Sequence, residues 1–198
     1  HGNAWQINRL VFDAMLLDAA ESEGARRVQG ARVTDIARVG KCWSVSFVLR
    51  GREYHEACDW LVDATGRGAA LSRMIGAHWI ETDRLAAQVG YMTQRTPWLG
   101  TDGALLVESA EHGWWYSAVL PDGVLIAAHV TDRDATLRGR WAAALASTRY
   151  TAERARRFDL ALIRGCPAST GHLSRAGGSG WVAVGDAALA HDPLSGQG

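Results

Sequence analysis

The sequence has no excess of charge of either sign. Lysine and arginine together number 21, and aspartate and glutamate together also number 21. A protein that binds nucleic acid through its phosphates needs a surplus of basic charge, which is missing here. The composition therefore predicts no nucleic-acid partner.

Cysteines and long apolar runs are also scarce. Cys42, Cys58 and Cys166 are widely spaced and odd in number, which fits a reduced interior better than a disulfide framework. No run of about 18 apolar residues occurs, and no charged start precedes an apolar stretch. We therefore expect a cytoplasmic protein without a membrane span. The oligomeric state is not readable from the sequence.

Motifs for hydrolysis and metal binding are missing as well. Ser179 lacks a Gly-x-Ser-x-Gly frame, and no cysteine lies in a recognisable nucleophile motif. The histidines show no i, i+4 pairing, and His55 with Cys58 is an isolated pair. The sequence predicts neither a hydrolase nor a metal site.

The ends of the chain carry a further expectation. The first residue is His1 rather than methionine, and Gly198 lies inside a glycine-rich stretch. No Gly-x-Gly-x-x-Gly turn follows a strand, since Gly177–Gly180 precedes one instead. We expect both ends to lie within a longer protein whose N-terminal βαβ unit is not part of these 198 residues.

The first third of the chain is predicted to form a helix and a β-hairpin. Apolar residues from Arg9 to Ala20 cover a broad stripe, with Asn8 in position to cap the helix. The segments 30–39 and 42–49 alternate polar and apolar residues around Gly40-Lys41, which is typical of a β-hairpin. A third short strand is expected around Tyr54.

Two short apolar runs each end in a turn that carries a carboxylate. Residues 60–62 lead into Asp63-Ala64-Thr65-Gly66 and a helix over 69–75, and residues 181–184 lead into Gly185-Asp186. Buried strands of a parallel sheet have this pattern. Residues 85–130 are predicted to form antiparallel strands, and residues 135–157 are predicted to be helical. The fold class is therefore α/β, with a β-rich layer inserted into a partly parallel sheet.

The strongest motif is Gly185-Asp186-Ala187-Ala188 followed by residues 191–198, His-Asp-Pro-Leu-Ser-Gly-Gln-Gly. A strand that ends in Gly-Asp places a carboxylate where it accepts hydrogen bonds from sugar-like hydroxyls. The Pro-x-x-Gly-x-Gly stretch lets the backbone approach a flat ring and then begin a helix. The alternative is a tight loop rich in turn residues.

This stretch resembles the late flavin-binding motif of FAD-dependent monooxygenases of the p-hydroxybenzoate hydroxylase type and of their relatives, the flavin-dependent halogenases and geranylgeranyl reductases. The resemblance implies FAD as the cofactor, with Asp186 on its ribityl chain and Pro193 beside the isoalloxazine ring. It also implies a Rossmann-like FAD-binding sheet. The remaining cofactor contacts that it implies in this segment are Gly185, Ser195, Gly196, Gln197 and Gly198.

The first turn is similar to the middle motif of the same superfamily, which implies that Asp63 and Gly66 lie near the cofactor. That motif is usually Asp-Gly followed by serine and arginine, and in some members it also serves the nicotinamide coenzyme. Here Asp-Ala-Thr-Gly is closer to the halogenase and reductase branches, so NAD(P)H stays open as electron donor. By itself, such a turn is common between a strand and a helix.

Two further positions follow from the resemblance. Arg9, at the start of the first helix, matches an arginine or glutamine that reaches the ribityl or phosphate region of FAD. The aromatic strand with Trp114, Trp115 and Tyr116 is similar to the Gly-Trp strand of halogenases, although Trp-x-Trp-x-Ile-Pro is not reproduced. Its aromatic rings suit a flat substrate by stacking, or they fill a core.

The resemblance divides the chain into FAD-binding residues 1–84, a β-rich substrate layer over 85–157, and a return to the FAD-binding domain over 158–198. We expect a monooxygenase-like FAD-dependent oxidoreductase that acts on a small-molecule organic substrate, for which an aromatic compound is one candidate. This piece alone is expected to be inactive. A halogenase-like or a geranylgeranyl-reductase-like enzyme is the alternative within this class. A truncated, non-catalytic homologue that acts through protein contacts is the alternative from another class.

Overall fold

The computed structural model describes residues 6–95, 103–133 and 139–195, which form two compact units. The first unit holds residues 6–25 and Leu85–Ala168, and the second holds Arg26–Arg84 and residues 169–195. The domain boundaries predicted from the sequence lie after residues 84 and 157. In the described residues the elements are α1 (Arg9–Ser22), β1 (Arg32–Val39), β2 (Cys42–Leu49), β3 (Arg52–Cys58), β4 (Leu61–Asp63), α2 (Ala70–Met74), β5 (Trp79–Glu81), β6 (Leu85–Gln94), β7 (Leu106–Ala110), β8 (Gly113–Val119), β9 (Leu125–Asp132), α3 (Trp141–Ala146), α4 (Tyr150–Ala155), β10 (Phe158–Pro167), β11 (Gly171–Leu173), β12 (Gly177–Gly178), β13 (Trp181–Ala183) and β14 (Leu189–Ala190).

The first unit contains a five-stranded antiparallel sheet. Its strand order is β10-β6-β9-β8-β7, which confirms the antiparallel layer predicted between residues 85 and 130. Strand β10 was not predicted. It pairs with β6 from Phe158 opposite Gln94 to Pro167 opposite Ala86, and a bulge lies between Leu160 and Leu162.

Helices α3 and α4 cover one face of this sheet. Trp115, Trp141 and Phe158 are at the centre of the core on that face, and Trp115 is completely buried. The segment predicted to be helical over 135–157 forms two short helices, and residues 134–138 lie outside the described part. The helix breaks where the hydroxyls of Ser147 and Thr148 donate to the carbonyls of Ala144 and Leu145, which draws these side chains back onto the preceding turn.

A carboxylate from the sheet caps the second of these helices. Glu108 on β7 accepts hydrogen bonds from the backbone N–H groups of Arg149, Tyr150 and Thr151 and from the Thr151 hydroxyl, at distances from 2.7 to 3.1 Å. Burial on its own raises the pKa of Glu108, but these bonds outweigh it and the net pKa lies below its ordinary value. Glu108 therefore stabilises the start of α4 as an ionised group.

Replacing Glu108 by alanine is expected to destabilise the full-length protein by about 1–2 kcal/mol, because the N–H groups that begin α4 lose their acceptor. Urea denaturation followed by circular dichroism measures the change. Glu111→Ala is the matched control, since Glu111 is an exposed carboxylate three residues further along the same hairpin. Equal denaturation midpoints for the two variants would contradict the capping role.

Helix α1 confirms the predicted N-cap and leaves its apolar side chains exposed. The Asn8 side chain accepts from the N–H of Leu10, and the helix ends at Ser22, two residues before Gly24. No residue of α1 is buried, and Leu10 is 84% exposed. None of the described helices is long and apolar enough to cross a membrane.

The second unit contains three small sheets. Strands β1, β2 and β3 form an antiparallel sheet, in which the predicted turn at Gly40-Lys41 joins the first two strands. The other sheets have the orders β14-β11-β5 and β12-β13-β4. The described chain is therefore α/β with mostly antiparallel pairing, and the parallel pair β4–β13 is the part of it that matters for the site.

Candidate functional site: the paired turns after β4 and β13

Strands β4 and β13 run parallel and end at the same edge. Leu61 pairs with Trp181, and Asp63 pairs with Ala183. Strand β4 begins one residue later than the sequence predicted and extends to Asp63. Trp60, which was expected in the buried run, lies outside the strand and is 65% exposed. Each strand is followed by a 3-10 turn, Gly66–Gly68 after β4 and Gly185–Ala187 after β13. Ligands of parallel sheets bind beyond the carboxyl ends of strands, so this edge is the candidate site.

Asp63 organises the first turn from the inside. It is buried, and one carboxylate oxygen accepts from the N–H (3.0 Å) and hydroxyl (2.6 Å) of Thr65, while the other accepts from the N–H (2.7 Å) and hydroxyl (2.6 Å) of Ser72. Burial on its own raises the pKa of Asp63, but the bonds from Ser72 and Thr65 outweigh it and the net pKa is lowered. With both oxygens engaged inside the protein, Asp63 holds the turn to α2 in place.

Asp186 presents a carboxylate on the second turn. Its side chain is 46% exposed, in contrast to the burial of Asp63. Gly185 before it has a φ of 55°, and Gly66 on the first turn has a φ of 69°, in the left-handed region that favours glycine. No atom lies within 4 Å of the position that a Cβ would occupy at either glycine. A ligand can therefore approach the backbone of both turns closely.

Arg67 joins the two turns, and sequence reasoning did not select it as a site residue. Its Nε lies 3.7 Å from an Asp186 carboxylate oxygen, its Nη2 donates to the carbonyl of His191 at 2.6 Å, and its Nη1 donates to the carbonyl of Ser169. The only signal in the sequence was its place directly after Gly66. The partners lie more than one hundred residues away along the chain, so their proximity depends on the fold.

The segment after β14 forms a tight turn around Asp192. The Asp192 carboxylate accepts from the N–H of Leu194 at 2.8 Å and from the N–H of Ser195 at 3.2 Å. This turn leaves Pro193 and Ser195, both predicted cofactor contacts, exposed. The predicted contacts Gly196, Gln197 and Gly198 lie outside the described residues.

Arg9 belongs to the first unit. Its Nε and Nη2 donate to the two carboxylate oxygens of Asp13, at 3.0 and 3.2 Å, and both side chains are well exposed. An exposed i, i+4 ion pair of this kind contributes little to stability. Its predicted contact with FAD stays a prediction.

The three aromatic residues of β8 divide between the two faces of the five-stranded sheet. Trp115 is completely buried and stacks on His129, with ring centroids 4.6 Å apart, and burial lowers the pKa of His129. Trp114 and Tyr116 are half-buried and pack on the opposite face, away from α3 and α4. Trp115 thus fills the core, while Trp114 and Tyr116 keep accessible surface.

Within the described ranges, no group of three or more histidine, cysteine, aspartate or glutamate side chains is arranged to hold a metal ion. None of the described cysteines, Cys42, Cys58 and Cys166, forms a disulfide. The groups that the structure describes at the edge of β4 and β13 include the Asp186 carboxylate, the Arg67 guanidinium and the open backbone of Gly66 and Gly185.

The chain is similar in sequence to two curated proteins. It is 30% identical over its whole length to the putative FAD-dependent oxidoreductase LodB of Marinomonas mediterranea and spans 55% of that protein. It is 28% identical over 61% of its length to the flavin-dependent halogenase armH2 of Armillaria mellea and spans 26% of that protein. No family model matches the chain.

A solved structure shares the fold over almost the whole chain. The flavin-dependent halogenase CmlS superposes with a TM-score of 0.87 and 25% identity, covering 98% of this chain and 38% of CmlS. The flavoprotein/dehydrogenase from Cytophaga hutchinsonii has the same fold, with a TM-score of 0.83 and 21% identity, over 98% of this chain and 51% of that one. The likeness in sequence to LodB and the likeness in fold to CmlS both extend over almost the whole chain, so the chain's relatives in sequence and in structure are FAD-dependent oxidoreductases and flavin-dependent halogenases.

Proposed function

We propose that this chain supplies the flavin-contacting middle and late segments of an FAD-dependent oxidoreductase. The observation that carries the proposal is the edge where β4 and β13 end side by side, with the exposed Asp186 carboxylate beside two open glycine turns. A carboxylate in this place accepts hydrogen bonds from the hydroxyls of a ribityl chain. A Rossmann-like FAD-binding sheet also has parallel strands that end at its ligand-binding edge.

The described residues fit one end of FAD. Asp186 suits the ribityl chain, and the exposed Pro193 and Ser195 suit the side of the isoalloxazine ring. Asp63 is engaged by Thr65 and Ser72, so its role is to hold the first turn rather than to touch the ligand. The pyrophosphate needs a Gly-x-Gly-x-x-Gly turn, which these 198 residues do not contain.

We further propose that the full-length enzyme acts on a small organic molecule by monooxygenase-like chemistry. When bound, FAD supplies the redox step, and the protein binds, orients and shields the reactants. Trp114 and Tyr116 are the aromatic side chains of β8 with surface left for a flat substrate to stack on. Halogenation and saturating reduction are the other reactions to be tested.

Redox cycling of the full-length protein with bound FAD tests this function. We expect the visible flavin bands to bleach on anaerobic reduction with dithionite and to return when air is admitted, with FAD still bound. Substituting NADH or NADPH for dithionite identifies the electron donor, since bleaching shows direct reduction. Bound FAD that cannot be reduced, or that leaves the protein in the first cycle, contradicts an enzymatic role and favours the non-catalytic homologue.

A further inference from the structure

The Arg67 guanidinium is fixed by two backbone carbonyls of its own unit. Nη1 donates to Ser169, which is buried, and Nη2 donates to His191, two residues before Pro193. A guanidinium is planar, so two such bonds determine the direction of its third nitrogen. That nitrogen, Nε, faces the Asp186 carboxylate.

The ion pair leaves half of the Asp186 carboxylate open. At 3.7 Å the Nε contact is an electrostatic pairing longer than a hydrogen bond, and it involves only one carboxylate oxygen. Within the described residues the other oxygen accepts no hydrogen bond. Since the Arg67 side chain is only 26% exposed, its charge is less screened than that of a surface arginine.

We propose that Arg67 is a positioning residue that sets the orientation of the Asp186 carboxylate for a hydroxyl of the bound cofactor. The carbonyls of Ser169 and His191 fix the Arg67 guanidinium, and the guanidinium attracts one carboxylate oxygen of Asp186. The second oxygen then faces the ligand. The inference rests on the proposed function, because it takes FAD as that ligand.

A general cross-link between segments is the competing explanation for these contacts. In that case, loss of Arg67 weakens FAD binding by loosening the fold, whatever residue stands at position 186. If Arg67 acts through Asp186, its loss has little further effect once the carboxylate is gone. A double-mutant cycle separates the two explanations.

The experiment measures the FAD dissociation constant of the deflavinated full-length protein by fluorescence titration, for wild type, Arg67→Ala, Asp186→Asn and the double variant. We expect each single change to weaken binding about tenfold, and the double variant to be about as weak as either single one. Arg67→Lys is expected to stay close to Arg67→Ala, because one ammonium group cannot span the three acceptors. If Arg67→Ala does not fold, Arg67→Met, which keeps much of the side-chain length, takes its place.

Three results overturn the inference while leaving the proposed function intact. They are wild-type FAD affinity in Arg67→Ala, wild-type FAD affinity in Arg67→Lys, and a loss of FAD affinity in the double variant that equals the product of the two single losses. A folded wild-type protein that binds no FAD is a different outcome, because it overturns the proposed function and the inference together.

Discussion

Replacing Asp186 by alanine in the full-length protein is expected to weaken FAD binding by about 10- to 100-fold, the range for loss of a hydrogen bond to a charged group. Asp186 is the exposed carboxylate at the shared edge of β4 and β13, and its free oxygen is the acceptor that we assign to the ribityl chain. Truncation removes that acceptor and leaves Arg67 without its carboxylate.

Fluorescence titration of deflavinated protein with FAD measures this effect. Glu53→Ala is the matched control, since it removes an exposed carboxylate from β3 in the same unit. We expect the control to bind FAD as the wild type does. If Asp186→Ala also binds with wild-type affinity while remaining folded, the assignment of Asp186 to the cofactor is wrong.

The second large effect concerns Asp63, whose replacement by alanine is expected to lower the free energy of unfolding by about 3 kcal/mol or more, because two buried donors of Ser72 and two donors of Thr65 lose their acceptor at once. Those donors are the N–H and hydroxyl groups of Thr65 and Ser72. Denaturant unfolding of the full-length protein measures the loss, with Glu53→Ala again as control. A loss no larger than that of the control would contradict the role of Asp63 in holding the turn.

Asp63 also gives the stability a defined pH dependence. Because its pKa is lower in the folded than in the unfolded protein, its contribution is complete above the unfolded value of about 3.9 and is lost as the pH falls through the folded value. Asp63→Asn cannot titrate, so the stability difference between wild type and Asp63→Asn should shrink as the solution is acidified below about pH 4. A difference that stays constant down to the acid-unfolding range would contradict the direction of the pKa shift.

Local signals in the sequence predicted much of this structure. The Asn8 cap, the Gly40-Lys41 turn and the two apolar runs before Asp63 and Gly185 each depend on neighbouring residues, and the helix, the hairpin and both short strands are present. Strand β10 was missed for a physical reason. It is an edge strand, exposed after Phe158, with a bulge and a proline, so its sequence carries no regular alternation.

The candidate site was predictable only in part. Asp186 could be predicted because its Gly-Asp motif is recognisable from neighbouring residues, an apolar strand followed by a turn. Asp63 was identified as a site residue, but no local pattern indicated that Ser72 would donate twice to its carboxylate. The contacts of Arg67 with Ser169, Asp186 and His191 join distant segments, and one sequence without its fold does not show such contacts.

The visible absorption spectrum of the full-length protein, purified without added FAD, tests whether the protein is a flavoprotein. We expect the bands of oxidised flavin to accompany the folded protein and the released cofactor to be FAD. A folded, colourless protein that cannot be loaded with added FAD would contradict the assignment of FAD as the cofactor.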